Sequence, residues 1–412
     1  MTPSLRAPVG RWSTVRRCLI GAIVLVIALS LAGCNLERTP AGGDLDRLPI
    51  SWAPDGKSLA WWSDGRLYVY DTKTKRSRLL KTIPDEFPAG AAWSPSGKEI
   101  AFYGWAWRVG GGVSLRLIDP GSGQISSLAS DVWDLGLSTS STQAQAPSHS
   151  MAQTTAPGGE ESGDFLMPWN GGPTALSWSR DGKRIAFLTC HRKPTAISIL
   201  DDTGNAVGHI EEDHMALMTP SWSPDGKRLA YASFDMRAVS GPPESLWLYD
   251  VGSGTREKIC DLSSITVAPP TWSADSTEIG FITVTESGDS ATACIVRAKG
   301  GGKITDKITG IPESSAWAPG LKGIALVEER GEGNHVLVYR TVRPVTRKVL
   351  GRIEVGAVQR NIARAAAGDY SSYCCDPTFS ADGRQVAVGV VETIGKDRRR
   401  GRTSIVTFAL AP

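Results

Sequence analysis

Ser221–Ala232 reads S-W-S-P-D-G-K-R-L-A-Y-A, and this twelve-residue phrase decides the fold. Ser221-Trp222-Ser223 ends one strand. Pro224-Asp225-Gly226-Lys227 is a tight turn, and Arg228 to Ala232 alternates as the next strand. Nearly the same phrase starts at Ser51, Ala92, Ser177, Thr271, Ala316 and Thr378, so a Trp or Phe recurs seven times, at Trp52, Trp93, Trp178, Trp222, Trp272, Trp317 and Phe379. A second half follows each hairpin: S-L-W-L-Y-D at Ser245–Asp250, a Gly-Ser-Gly turn, and a fourth strand from Arg256 to Cys260. Arg66–Asp71, Leu115–Asp119 and Ile197–Asp201 repeat the Asp-ended strand, while Ile295–Ala298 and Val336–Tyr339 keep only its apolar alternation.

A unit of this kind exposes an apolar face that only a neighbouring copy covers, so the repeats imply a closed ring. The expected class is all-β: one propeller of seven four-stranded blades over residues 47–412. Spacings between the recurring aromatics are 41, 85, 44, 50, 45 and 62 residues. The longest interval holds a Ser/Thr/Gln/Gly-rich insertion at 131–173, read as a loop, with an eighth, degenerate blade as the alternative. Gly351–Pro377, in the second long interval, offers Ile362–Ala367 as a short helix. Blade seven stops after its third strand. Leu36–Leu45 is the segment expected to close the ring, although Pro40, Gly42 and Gly43 suit a strand poorly.

These residues resemble the TolB-type propeller repeat, a relative of the WD repeat, from about Ile50 to Leu410. The resemblance implies that each Trp packs between adjacent blades and that the turn Asp and Gly close the first hairpin. It does not imply the Tol role. That family carries an α/β domain ahead of its propeller, whereas about 15 residues separate Cys34 from the first blade here. Hydrolase relatives with similar repeats also fit badly, because no Gly-x-Ser-x-Gly elbow occurs in this chain.

Arg6, Arg11, Arg16 and Arg17 precede an apolar run from Cys18 to Leu31, too short for a spanning helix and typical of an export signal. Leu31-Ala32-Gly33-Cys34 resembles a bacterial lipobox, which implies cleavage after residue 33, lipid on Cys34, and a linker or closing strand at 34–46. Loss of residues 1–33 would leave 379 residues and move the formal charge from +3 to about −1. The expected destination is the outer face of the cell membrane or the outer membrane. A near-neutral exported chain is no nucleic-acid binder.

The first-to-second and third-to-fourth strand turns are short and share one face of the disk; the long connections share the other, the expected recognition face. Three patches lie there: Trp105 and Trp107 in Gly104–Val113, Tyr370 and Tyr373, and the basic run Lys396, Arg398, Arg399, Arg400 and Arg402. Aromatic rings suit a sugar or peptide, and the basic run suits anionic headgroups or a wall polymer. Each also has a plainer role, as a blade cap or a solvated hairpin tip. His191, His209 and His214 are the only weak metal candidates, without the spacing of a recognised site, so no metal or cofactor is called for. Besides Cys34, the exported chain would keep Cys190, Cys260, Cys294, Cys374 and Cys375, an odd number; the strand positions of Cys260 and Cys294 suggest small buried residues.

The sequence thus favours a non-enzymatic envelope lipoprotein that binds a protein or peptide partner, with carbohydrate as a further ligand class. A metal-dependent carbohydrate lyase or hydrolase at the channel mouth is the alternative, and a structural subunit without small ligand a third.

Overall fold

A computed structural model describes residues 50–63, 65–83, 86–106, 113–130, 176–190, 195–211, 215–217, 220–235, 244–262, 269–284, 291–299, 304–312, 314–330, 335–353, 370–374, 377–394 and 401–410. All of them belong to one compact unit, Gly42–Ser141 with Pro168–Pro412. They form seven antiparallel sheets. The first is β1 (Ile50–Trp52), β2 (Ser58–Ser63), β3 (Arg66–Asp71) and β4 (Arg76–Thr82); the second is β5 (Glu86–Trp93), β6 (Ile100–Ala106), β7 (Val113–Ile118) and β8 (Ile125–Ala129). The third holds β9 (Leu176–Trp178), β10 (Arg184–Cys190), β11 (Thr195–Asp201) and β12 (Ala206–Ile210). In the fourth, β13 (Met215–Leu217) and β14 (Ser221–Trp222) share the inner position before β15 (Arg228–Asp235), β16 (Glu244–Asp250) and β17 (Arg256–Leu262). The fifth is β18 (Thr271–Trp272), β19 (Glu278–Val284), β20 (Ala291–Arg297) and β21 (Ile304–Ile311). The sixth is β22 (Ser315–Trp317), β23 (Gly323–Glu329), β24 (His335–Val342) and β25 (Val345–Ile353). The seventh has β26 (Tyr370–Cys374) and β27 (Thr378–Phe379) sharing the inner position, then β28 (Gln385–Ile394) and β29 (Gly401–Ala409).

Seven apolar clusters, one per interface, hold the blades side by side. The second strand explains how. Its first and third apolar residues face the preceding blade, as Ile185 and Phe187 do towards Ala92, Tyr103 and Leu115. Its second residue faces the following blade and is small, Ala60, Ala101, Ala186, Ala230, Gly280, Ala325 and Ala387 in turn, because the next blade's repeated aromatic, Trp or, after Ala325, Phe379, must fit there. The residue before that tryptophan's counterpart is small for the same reason. Trp52, Trp178, Trp222 and Trp272 each send the indole N–H back to its carbonyl in the preceding blade, at Thr378, Ala92, Ser177 and Ser221, over 2.9 to 3.1 Å. The bond from Trp52 to Thr378 joins the first blade to the seventh and closes the ring.

A second set of links runs forwards. Arg184, Arg228 and Gln385, each the first residue of the second strand or its equivalent, donate to the carbonyl of the positive-φ turn residue of the next blade: Gly226, Ser276 and Gly56. Outer strands complete six of the seven interfaces through a bulge. In all six pairings of the third strand with the fourth the register shifts, which turns residues three apart, such as Ile259 and Leu262, onto the same neighbouring blade. Blade seven carries no such strand among the described residues. Leu36–Leu45, Ile362–Ala367 and the insertion at 131–173 lie outside them.

Candidate functional site

The turn face is built from acids whose oxygens are already committed. In the first-hairpin turns, Ser179, Ser223, Ser273 and Ser380 donate to Asp181, Asp225, Asp275 and Asp382 at 2.6 Å, and each Asp accepts the amide two residues on. The serine oxygens in turn accept the amide that starts the second strand. Asp71, Asp201 and Asp250 end their third strands, Asp119 directly follows its own, and all four accept backbone N–H groups of the following turn. Bonds to the charged form lower a carboxyl pKa. Ser273 and Thr277 thus hold Asp275 at about 2, and Thr203 with the Asn205 amide does the same for Asp201. These carboxylates close turns and stay ionised; none is poised to give or take a proton near neutrality.

On the opposite face, among the described residues, three blades carry longer inner hairpins than the other four. Blades two, four and seven prolong the inner strand and its partner towards that face, with Glu86 paired to Ala106, Met215 to Asp235 and Tyr370 to Ile394. In blades one, three, five and six the described inner strands are two or three residues long. Each tower joins its blade through a break: a register shift at Gly90, whose φ is +68°, or the interruptions that contain Pro220 and Pro377. Pro lacks an N–H and Gly accepts positive φ, so these residues suit a kink between two paired segments.

Towers change the reading of the candidate patches. Trp105, expected in a loop, is a strand residue of β6, paired with Phe87 and Val113. Tyr370 and Tyr373 are strand residues of β26, opposite Ile394 and Val391. Arg402, expected in the basic loop, pairs with Glu392 inside the β28–β29 ladder. Trp107, Lys396, Arg398, Arg399 and Arg400 lie outside the described residues. The proposed loops are therefore shorter than their glycine and arginine content suggests, and the backbone ladder carries at least one residue of each of the three patches up blades two and seven. No side-chain signal announces the towers except the short apolar alternations ahead of the repeated phrase.

The histidine set is not assembled by the described residues. His209 lies on β12, with Nδ1 3.1 Å from Ser198 Oγ and Nε2 3.4 Å from Glu211 Oε2, while His191 and His214 lie outside the description. Among the described residues no three His, Cys, Asp or Glu side chains are grouped to hold a metal ion. Cys294 is buried and Cys260 half-buried, as their strand positions imply, and both are free thiols. Burial pushes both thiols up, with Asp261 and Cys294 adding to the effect on Cys260, which reaches about 11.

This architecture defines a seven-bladed β-propeller. Residues 182–349 match the family model described as the TolB beta propeller domain, so this stretch of the ring is similar to a TolB propeller. No curated protein matches the chain. Similar solved structures include an oligogalacturonate lyase in complex with manganese, 12% identical, covering 88% of each chain at a TM-score of 0.53. The oligogalacturonate lyase of Vibrio parahaemolyticus is 12% identical over 91% of this chain and 92% of its own, at 0.51. TolB from Acinetobacter baumannii is 15% identical over 93% of this chain and 68% of its own, at 0.38. At these identities the likeness is one of fold. Among the described residues no helix is long and apolar enough to cross a membrane.

Proposed function

We propose that this chain is an exported, lipid-anchored propeller that serves as a protein-binding or assembly scaffold of the bacterial envelope. The observation that carries the reading is the trio of prolonged inner hairpins on blades two, four and seven, all rising on the face that bears the long connections. Rigid strands present a recognition surface with less ordering cost than free loops. The turn face offers no comparable relief, since its acids are engaged within their own hairpins. Export and anchorage rest on Leu31-Ala32-Gly33-Cys34 and the apolar run before it.

Crosslinking of the native protein in intact cells, followed by mass spectrometry, tests this reading. A protein partner attached through Glu86–Ala106, Met215–Asp235 or Tyr370–Ile394 is the expected result. Attachment to glycan alone, together with a chelator-sensitive release of unsaturated sugar, overturns it in favour of a lyase of the kind named among the similar folds. Labelling with a fatty-acid analogue that survives Cys34→Ala removes the anchor from the proposal.

A further inference from the structure

The outer rim of the disk is electrically lopsided. The outer strand of blade one and the turn before it, Thr72–Thr82, carry Lys73, Lys75, Arg76, Arg78 and Lys81 and no acid. On blade six, Arg343–Ile353 carries Arg343, Arg347, Lys348 and Arg352, again without an acid. The corresponding segments of blades two and three, Pro120–Ala129 and Asp202–Glu211, have no Lys or Arg, and the latter has two acids. All nine of the basic side chains are exposed. Some charge is neutralised locally, because Arg343 is paired with Glu278 and Asp306 and Arg347 with Glu328.

Apolar side chains share the same two strands. Leu79 on β4 is 50% exposed, and Val345 and Val349 on β25 are 65% and 48% exposed. These are three of the five large apolar residues exposed among the described residues; Val207 and Ile304 are the others. Blade seven lies between blades six and one in the ring, and its β29 has no outer neighbour among the described residues, so the two basic strands flank that edge.

Basic groups with interspersed exposed apolar side chains suit the interface of an anionic bilayer, where each cation gains from the surface potential and each apolar group from the acyl boundary. A soluble polyanion would use the charges but leave Leu79, Val345 and Val349 without a partner. We infer that the rim formed by the outer strands of blades six and one is a docking surface for membrane lipids with anionic headgroups. In that pose the disk stands on its edge, and the tower-bearing face looks along the membrane instead of away from it.

Hydrogen exchange on the full chain, reconstituted with phosphatidylcholine vesicles with or without phosphatidylglycerol, tests the inference. Amides of Arg76–Thr82 and Val345–Ile353 are expected to exchange more slowly only when phosphatidylglycerol is present, with no change at Ile125–Ala129 or Ala206–Ile210. High salt should abolish the difference. The quadruple substitution Lys73→Gln, Lys81→Gln, Lys348→Gln and Arg352→Gln should weaken the docked state on the order of a hundredfold or more. Tethering through lipid on Cys34 would occur on both vesicle types, so its loss reads separately from loss of the docked pose. Equal protection on both lipids, protection on all sides of the rim, no protection, or protection by soluble polyglycerol phosphate but not by vesicles overturns the inference.

Discussion

The interface between blades four and five and the one between blades seven and one use the same inner links but differ towards the rim. At the first, Trp272 donates to the Ser221 carbonyl at 3.1 Å, and Arg228 lies over the Trp272 ring at 5.2 Å while donating to Ser276 and Ala298. Ile259 and Leu262 of the outer strand are buried in the same cluster. At the second, Trp52 donates to Thr378 at 3.0 Å and Gln385 to Gly56 at 2.8 Å, but no described outer strand adds apolar cover. Tyr68 instead stacks on Trp61, with ring centroids 5.4 Å apart. Among the described residues the ring is therefore closed by the inner grammar alone at one seam and by inner and outer layers at another, and on these contacts opening should begin between blades seven and one.

Trp272→Ala probes the stronger seam most severely. Removal of a buried indole from a two-layer interface should cost about 3–5 kcal/mol, read from chemical denaturation. Trp52→Ala should cost less, towards the lower end of that range, because a seam whose described residues give it no outer cover relaxes more easily into the vacated space. The reverse order would break the comparison. A calmer substitution separates the polar links. Arg228→Ala loses two charge-assisted bonds and a ring contact and should cost about 1.5–3 kcal/mol, against about 0.5–1.5 kcal/mol for the neutral bond lost in Gln385→Ala. Equal losses would mean that the guanidinium contributes no more than an amide does.

Much of this was legible in the sequence, because the propeller repeat is a local pattern. Trp, Asp and Gly recur at fixed offsets, and the structure puts the indoles between blades and the Asp-Gly pairs in turns. What could not be read is long-range backbone geometry. Trp317 holds the same place in its phrase as Trp272, yet its indole donates to Phe281 at 3.3 Å instead of to the first-strand carbonyl. The cause is one residue in another blade. Gly280 stands where the other second strands have Ala, and a Cβ there would lie 2.9 Å from the Trp317 ring, so its absence lets the indole sit over the second strand. The candidate site was less legible still. Gly104–Val113 and the arginine run look like loops by composition, but a ladder needs only backbone groups, and pairing continues through Trp105 and Arg402 regardless of side chain.

The smallest effect expected concerns the turns at the two seams, and it depends on pH. Asp275, at the turn on which Arg228 docks, accepts from Ser273, from the Thr277 hydroxyl and from the Thr277 amide. Asp55, in the corresponding turn of blade one, follows Ala53 in place of a serine and accepts the Lys57 amide at 2.9 Å. Because Asp275 is held at about 2 when folded and lies near 4 in an unfolded chain, its stabilisation is present above about pH 4 and is lost as pH falls towards 2. Asp275→Asn should therefore be less stable than the parent near neutral pH, by an amount that shrinks as both are titrated from pH 5 to 2 in urea. Asp55→Asn should change the urea midpoint less at every pH, since one backbone bond is at stake instead of three. A gap for Asp275→Asn that stays constant down to pH 2 would mean that the amide disturbs the turn by its shape and not by the missing charge, and the two seams would then differ in packing alone.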